Sequence, residues 1–271
     1  MPELPEVEVT CLGLKPLLSS LVSNVKIRNH SLRWPINRKL PKILKKQALV
    51  DLKRRGKYIL ASFTNGTLIV HLGMTGRLCI VSNNEPIHKH DHVDILFNDD
   101  DLILRYRDPR RFGSILWTKD NPYNHKLIKN LGPEPLDQEF NAEYLYKKLK
   151  NKQQCIKNSI MDSHLVVGVG NIYASESLFY AGILPYRISK KISKKEIILL
   201  VYSIKEVINK AIVKGGSTMN DFFDVNGENG YFQNEHKVYG RENKHCFQCQ
   251  SQITQLKLGQ RSSFFCKKCQ S

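Results

Sequence analysis

Apolar residues near the start of the chain recur at the spacing of a single helix face. They lie at Val7, Cys11, Leu14, Leu18 and Leu21. Pro5 suits the first helical position, where the backbone nitrogen has no helical partner to lose. The acidic residues at 6 and 8 suit the positive end of the helix dipole. Because Pro16 cannot continue a regular helix, the pattern predicts a short helix directly after the first residues.

The next part of the chain alternates between apolar and polar or basic residues, which is the period of a half-buried strand. Asn65-Gly66 is a strong signal for a tight hairpin turn. Predicted strand regions are Ala48–Phe63, Leu68–Leu72, His92–Phe97 and Leu102–Tyr106, the last two joined by a turn at 98–101. Several strands with short connections favour a sandwich or barrel over a parallel α/β sheet.

The second half of the chain has helical periodicity, and a Gly- and Pro-containing segment at 131–138 precedes it as a predicted linker. Ser193 followed by Glu196 forms a capping-box pattern. Predicted helices are Glu139–Lys150, Gln153–Asp162, Asn171–Ala181 and Lys194–Val213. We therefore predict a strand-rich domain at 1–130, a helical domain at 139–238 and a separate C-terminal segment at 239–271.

Two C-x₂-C pairs lie sixteen residues apart at the end of the chain: Cys246, Cys249, Cys266 and Cys269. This spacing predicts a tetrahedral zinc site, and the strand-like stretches Thr254–Leu258 and Ser262–Phe265 predict a zinc ribbon. Four thiolates leave no open position for a catalytic water, so the single zinc is expected to be structural. Redox pairing of these cysteines is the alternative. The remaining thiols, Cys11, Cys79 and Cys155, are expected to be buried.

Three histidines, His88, His90 and His92, alternate along the chain and could place their imidazoles on one strand face. A second metal site is one interpretation. Contacts with phosphate or solvent are favoured, because no carboxylate or cysteine cluster clearly completes the ligand set.

The net charge of +17 favours a polyanionic partner. Twelve Lys or Arg residues lie between Asn24 and Lys57, against one acid, Asp51. Apolar residues interrupt them, which indicates a folded basic face. An anionic membrane surface is a weaker interpretation, because no apolar run approaches the ~20 residues of a membrane helix. No export signal is apparent, and reduced cysteines fit the cytosol.

Met1-Pro2-Glu3 begins the chain with a residue of unusual chemistry. If Met1 is removed, Pro2 carries a secondary amine, and its condensation with an aldehyde carbon gives a permanently charged iminium, a form of covalent catalysis. Glu3 is adjacent for proton transfer. We expect the dipole of the following helix to lower the pKa of this amine. A chance Met-Pro start is the alternative.

Taken together, these residues resemble bacterial formamidopyrimidine-DNA glycosylases along the whole chain. The matching segments are Met1–Glu6, Arg54–Tyr58, His71–Arg77, Lys89–Val93, Asp108–Gly113, Gly168–Glu176 and the ribbon with Gly259–Arg261. The resemblance implies an α+β fold, with a two-layered antiparallel β-sandwich and flanking helices followed by a helix–two-turn–helix domain and a zinc-ribbon hairpin. Ser163 and Val167 depart from the Gln and Ala common in the family.

The resemblance also implies roles for individual residues. Pro2 would attack C1′ of the damaged nucleotide, Glu3 would protonate the deoxyribose ring oxygen, and Glu6 would support them. Residues implied in DNA contacts are Lys57, His71, His90, Asn171 and Arg261, of which Lys57 and Arg261 also count as catalytic. Met74, Arg110 and Phe112 would fill the gap left by an everted base. Segment 217–230, with Asn220, Asp221 and Asn226, would cover the flipped base.

The implied function is a bifunctional DNA glycosylase and abasic-site lyase of base excision repair. It would excise 8-oxoguanine and formamidopyrimidines from double-stranded DNA through a Schiff base, and then cleave the strand by β,δ-elimination. We expect a monomer in the bacterial cytosol, near the nucleoid. Two alternatives stay open: an enzyme of the endonuclease VIII kind that prefers oxidised pyrimidines, and a non-catalytic DNA-binding protein.

Overall fold

The computed structural model describes residues 1–98, 102–217 and 231–271. The predicted turn at 98–101 and the predicted base-covering segment therefore lie largely outside the described residues, including Asn220, Asp221 and Asn226. The chain forms two compact units. The first unit comprises Met1–Lys129 with Lys214–Tyr231, and the second comprises Asn130–Val213 with Phe232–Ser271. The predicted linker and the predicted separate C-terminal domain stay predictions.

Among its described residues, the first unit contains two α-helices and eight strands. They are α1 (Leu4–Gly13), β1 (Val22–Ile27), α2 (Leu40–Leu44), β2 (Leu49–Arg55), β3 (Tyr58–Phe63), β4 (Gly66–His71), β5 (Arg77–Val81), β6 (Asp91–Phe97), β7 (Leu102–Arg107) and β8 (Ser114–Thr118). Short 3₁₀ helices lie at Lys15–Leu17 and Pro122–Asn124. Helix α1 stops before Pro16, as the sequence predicts.

The eight strands form two four-stranded antiparallel sheets, ordered β1-β6-β7-β5 and β2-β3-β4-β8. Side chains from both sheets meet in one apolar core, for example Ile59 and Val70 from one sheet and Val93 and Leu104 from the other. This arrangement confirms the predicted α+β class with an antiparallel sandwich.

The predicted strand region Ala48–Phe63 contains two strands, β2 and β3, which form a hairpin. Gly56 has a φ of +57° and turns the chain between β2 and β3. The alternating pattern does not locate this turn, because basic residues on both sides of Gly56 continue it. Strands β1, β5 and β8 were not predicted; β1, for example, buries only two of its six residues and gives a weak periodic signal.

The second unit is mainly helical. Its elements are α3 (Ala142–Leu149), α4 (Ile156–Ile160), α5 (Asn171–Tyr180), α6 (Lys194–Val213), β9 (Thr254–Leu258) and β10 (Arg261–Phe265), with 3₁₀ helices at Ser189–Lys191 and Phe232–Glu235. The capping box is confirmed, since the Glu196 amide N–H donates to Ser193 Oγ and the Ser193 amide N–H donates to Glu196 Oε2. Within the described parts of the chain, none of the helices is long and apolar enough to cross a membrane.

Candidate active site

The first residues of the chain are held in place by a buried carboxylate. Pro2, Glu3 and Glu6 are all buried. The Glu3 amide N–H donates to Glu6 Oε2 at 2.8 Å, and the Ser217 amide N–H donates to Glu6 Oε1 at 2.8 Å. A Cβ atom at Gly216, whose φ is +80°, would lie 3.0 Å from Glu6 Oε1. Glu6 therefore fixes residue 3 and the chain at 216–217 in the same unit.

A concavity of about 620 Å³ brings the start of the chain together with several predicted site residues. Its lining includes Met1, Arg33, His71, Met74, Arg110 and Phe112. These residues come from distant parts of the sequence and from the ends of strands or from loops. Arg33 was not singled out by sequence; its amide N–H donates to the Gly113 carbonyl at 3.1 Å, which fixes it beside the loop of Phe112.

His71 ends strand β4 and is held in one tautomer. Its Nδ1 accepts the Gly73 amide N–H at 3.0 Å, and its ring lies 4.9 Å from the Tyr58 ring between centroids. Burial, followed by the positive charges of Lys57 and Arg33, lowers the pKa of His71 to about 4. A neutral imidazole whose Nδ1 accepts a hydrogen bond carries its proton on Nε2. His71 can therefore donate to a phosphate oxygen while uncharged.

The low pKa predicts a pH dependence of stability. Between the unfolded value of 6.5 and the folded value of about 4, the unfolded chain binds more protons at His71, so stability falls as the pH is lowered through this range. Burial lowers the pKa of His236 to about 4 as well and adds to the effect. In urea titrations, the free energy of unfolding should decrease less between pH 7 and pH 5 in His71→Gln than in the parent protein.

An unchanged slope in His71→Gln would contradict the assignment of a neutral, buried imidazole.

Met74 and the pair Arg110 and Phe112 lie on two loops that touch. Met74 is 38% exposed and Phe112 is 47% exposed, while the Arg110 guanidinium lies over the Phe112 ring, 4.7 Å from its centroid. Gly73, with a φ of +66°, brings the loops into contact, because a Cβ there would lie 2.5 Å from the Gly113 nitrogen. The loops therefore present an apolar side chain and a stacked aromatic–cation pair together.

Asp108, which sequence reasoning did not single out, joins the two loops. It is fully buried. Its Oδ1 accepts the Thr75 hydroxyl at 2.6 Å and the Arg110 amide N–H at 3.3 Å, and its Oδ2 accepts the Gly113 amide N–H at 2.9 Å and the Tyr106 hydroxyl at 3.1 Å. A buried carboxylate requires such donors. The sequence signal that could have identified Asp108 is its position as an acidic residue directly before Pro109, at the end of a predicted strand.

The structure corrects the interpretation of the three alternating histidines. Strand β6 begins at Asp91, so His88 and His90 precede it and the three imidazoles do not share a strand face. His92 Nε2 lies 2.8 Å from the Asp108 carbonyl oxygen, to which it donates. A DNA contact for His90 stays a prediction, as does one for Lys57, which follows Gly56 in the β2–β3 turn.

In the second unit, a buried lysine joins Asn171 to the terminal hairpin. Asn171 begins α5 after Gly170. Lys157 Nζ, fully buried, donates to Asn171 Oδ1 at 2.7 Å, to the Ser262 carbonyl at 2.9 Å and to Ser263 Oγ at 2.8 Å. Arg261 is exposed at the start of β10, next to Ser262. Lys157 therefore joins Asn171 to Ser262, the neighbour of Arg261, within one unit.

The four cysteines of the two C-x₂-C pairs converge. Their Sγ atoms all lie within 4.8 Å of one another, with Cys246 and Cys269 at 3.8 Å and Cys249 and Cys266 at 3.4 Å. A tetrahedral ion with sulfur bonds of about 2.3 Å requires edges of about 3.8 Å, so the cluster can hold a metal ion. Outside it, Cys11 is buried, whereas Cys79 and Cys155 are only half-buried, contrary to expectation.

Residues 1–115 match the family model described as formamidopyrimidine-DNA glycosylase N-terminal domain, and residues 131–222 match its H2TH domain. A formamidopyrimidine-DNA glycosylase of Methylobacillus flagellatus is 50% identical, covering 100% of this chain and 96% of the relative.

Two solved structures of the Lactococcus lactis Fpg protein share the fold. A mutant in complex with DNA containing Fapy-dG superposes with a TM-score of 0.92, and the wild-type protein in complex with DNA containing an oxidised pyrimidine superposes with a TM-score of 0.91. Each is 32% identical and covers 99% of both chains. The similarity thus extends over both units.

Proposed function

Because the chain belongs to the formamidopyrimidine-DNA glycosylase family, we propose that Pro2, once Met1 is removed, excises oxidised purines from duplex DNA. The observation that carries this proposal is the concavity that gathers the start of the chain, His71 and the two loops bearing Met74 and Arg110. The proposal assigns to this concavity a reactive end, a neutral phosphate donor and a gap-filling surface.

The chemistry begins at the secondary amine of Pro2. Its lone pair attacks C1′, the bond from C1′ to the base breaks, and the base leaves with the electron pair. The proton that the Pro2 nitrogen loses passes to the departing base, and Glu3 donates a proton to the ring oxygen as the sugar opens, which leaves an iminium between Pro2 and C1′. Glu6 supports this step by fixing the backbone of residue 3.

Strand cleavage follows from the charge of the iminium. It acidifies the C2′ protons, so loss of one proton expels the 3′ phosphate, and a second elimination expels the 5′ phosphate. The phosphates around the lesion are held by Lys57, His71, Asn171 and Arg261. The positive charges of Lys57 and Arg261 stabilise the negative charge that develops on a leaving phosphate in the transition state. Hydrolysis of the iminium then frees Pro2 and leaves a one-nucleotide gap.

Access to C1′ requires the damaged nucleotide to leave the base stack, which costs a few kcal/mol. Met74 and Phe112 replace part of the lost stacking, and Arg110 hydrogen-bonds the cytosine opposite the lesion. This assignment explains why large apolar side chains remain exposed on adjacent loops.

The lesion class can be tested directly. We expect faster excision of 8-oxoguanine opposite cytosine than of thymine glycol under single-turnover conditions. The second candidate, a preference for oxidised pyrimidines, has some support because the Lactococcus lactis relative has been captured on DNA with such a lesion. Faster excision of thymine glycol would establish that alternative.

We propose that the cysteine cluster holds one structural Zn²⁺, which would tie the two C-x₂-C turns to the β9–β10 hairpin that carries Arg261.

Mass spectrometry of the native protein should find one zinc per chain. Cys266→Ser should abolish metal retention and weaken DNA binding by at least about tenfold, because binding of a structural zinc is coupled to folding of its segment. Cys79→Ser, outside the cluster, should leave both unchanged; loss of metal in both variants, or in neither, would contradict the site.

A further inference from the structure

Helix α6 has a second apolar stripe on its exposed side. One side packs into the unit through residues such as Leu200 and Ile204, which are fully buried. On the opposite side, Ile198 is 57% exposed, Leu199 is 54% exposed and Tyr202 is 63% exposed. A helix that packs on one side ordinarily presents polar residues to solvent. Clustered exposed apolar side chains often mark an interaction site.

The stripe borders a groove between α3 and α6. The groove has a volume of about 490 Å³, and its apolar surface comes from Ala142, Tyr146 and Ile198. Its lining also includes Lys147, Lys150 and Lys194, with Glu143 as the acidic member. The groove therefore combines apolar side chains with three lysines and one glutamate.

One of the groove lysines occupies an electrostatically unfavourable position. Lys194 is the first residue of α6, where the helix dipole is positive and a cation is destabilising. The Lys194 ammonium lies 5.0 Å from the centroid of the Tyr146 ring, which holds it over the groove. An anionic partner would offset both the dipole and the mutual repulsion of the lysines.

We propose that this groove binds an acidic peptide segment of a partner protein, one that also carries bulky apolar side chains. Carboxylates of the segment pair with Lys147, Lys150 and Lys194, and its apolar side chains cover Ile198 and Tyr202, as in other helix-lined peptide grooves. DNA would neutralise the lysines but leave the apolar stripe in water. A symmetric contact with a second copy would bring the same lysines together.

Selection of short random peptides displayed on phage tests the proposal. The target is the full chain with a saturating excess of duplex DNA, so that the DNA-binding residues are occupied. We expect the enriched peptides to combine several Asp or Glu residues with at least two large apolar residues. The double variant I198S/Y202S should bind them at least tenfold more weakly, and K147Q/K150Q should weaken binding in the same direction.

Val50→Ser provides the matched control, because Val50 is an apolar residue of similar exposure, 56%, on β2 of the first unit. All variants should keep the parent melting temperature and rate of 8-oxoguanine excision. Failure to enrich acidic, apolar peptides overturns the proposal, as does equal binding to I198S/Y202S. Binding of phosphatidylglycerol vesicles that is lost in I198S/Y202S, with no peptide enriched, would assign the face to a membrane surface instead.

Discussion

Borohydride added to DNA with an abasic site and a chain that begins at Pro2 should trap a covalent adduct at residue 2. Reduction converts the iminium between the Pro2 nitrogen and C1′ into a stable amine, and peptide mapping locates it. A chain that retains Met1 should form no adduct, because the Pro2 nitrogen is then an amide without a nucleophilic lone pair. The rate of base excision by the chain that retains Met1 should be lower than that of the chain beginning at Pro2 by a factor on the order of 10⁴ or more, as for loss of other covalent nucleophiles.

Pro5→Ala is the matched control for this experiment. Pro5 is the other proline of the segment and lies in the first turn of α1, so its replacement tests helix packing without altering the terminal amine. The adduct should persist in this variant. An adduct mapped to any other residue, or full turnover by the chain that retains Met1, would contradict the mechanism.

Asp108→Asn should separate base excision from strand cleavage. The substitution keeps the size of the side chain but removes the carboxylate on which both loops depend, and buried donors left without an acceptor cost about 1–3 kcal/mol. We expect 8-oxoguanine excision from duplex DNA to fall roughly 10- to 100-fold, the kinetic equivalent of that loss. Cleavage at a preformed abasic site should change much less, because no damaged base has to be everted.

The control for Asp108→Asn is Asp120→Asn, the same chemical change at an exposed position. Melting temperatures distinguish a displaced loop from an unfolded domain. Equal loss of excision and of abasic-site cleavage would show that Asp108 supports the unit as a whole rather than the loops of Met74 and Phe112.

The sequence predicted elements whose signals are local. Helix α6 begins and ends at the predicted residues, and its start is marked by the capping box of Ser193 and Glu196. Strand β9 also has the predicted bounds, because the segment between the cysteine pairs has room for one hairpin. These features depend on residues a few positions apart, so pattern and spacing suffice.

Residues that act through distant contacts could not be predicted in this way. Lys157 appears in sequence as one more basic residue on a helix, but its buried ammonium contacts residues 14, 105 and 106 positions away. Asp108 likewise contacts Thr75, 33 positions away. A buried charge is recognisable only when its partners are known, and the partners here are set by the packing of loops and sheets.

The bond between Ser217 and Glu6 has a consequence for how the protein is made. Translation delivers residue 6 early and residue 217 late, and N-terminal segments generally fold first. The segment that holds Pro2 therefore gains the amide donor of Ser217 only after most of the polypeptide has been made. A nascent or truncated chain ending at Lys129 would contain the eight described strands of the sandwich but would lack the Ser217 amide that holds Glu6.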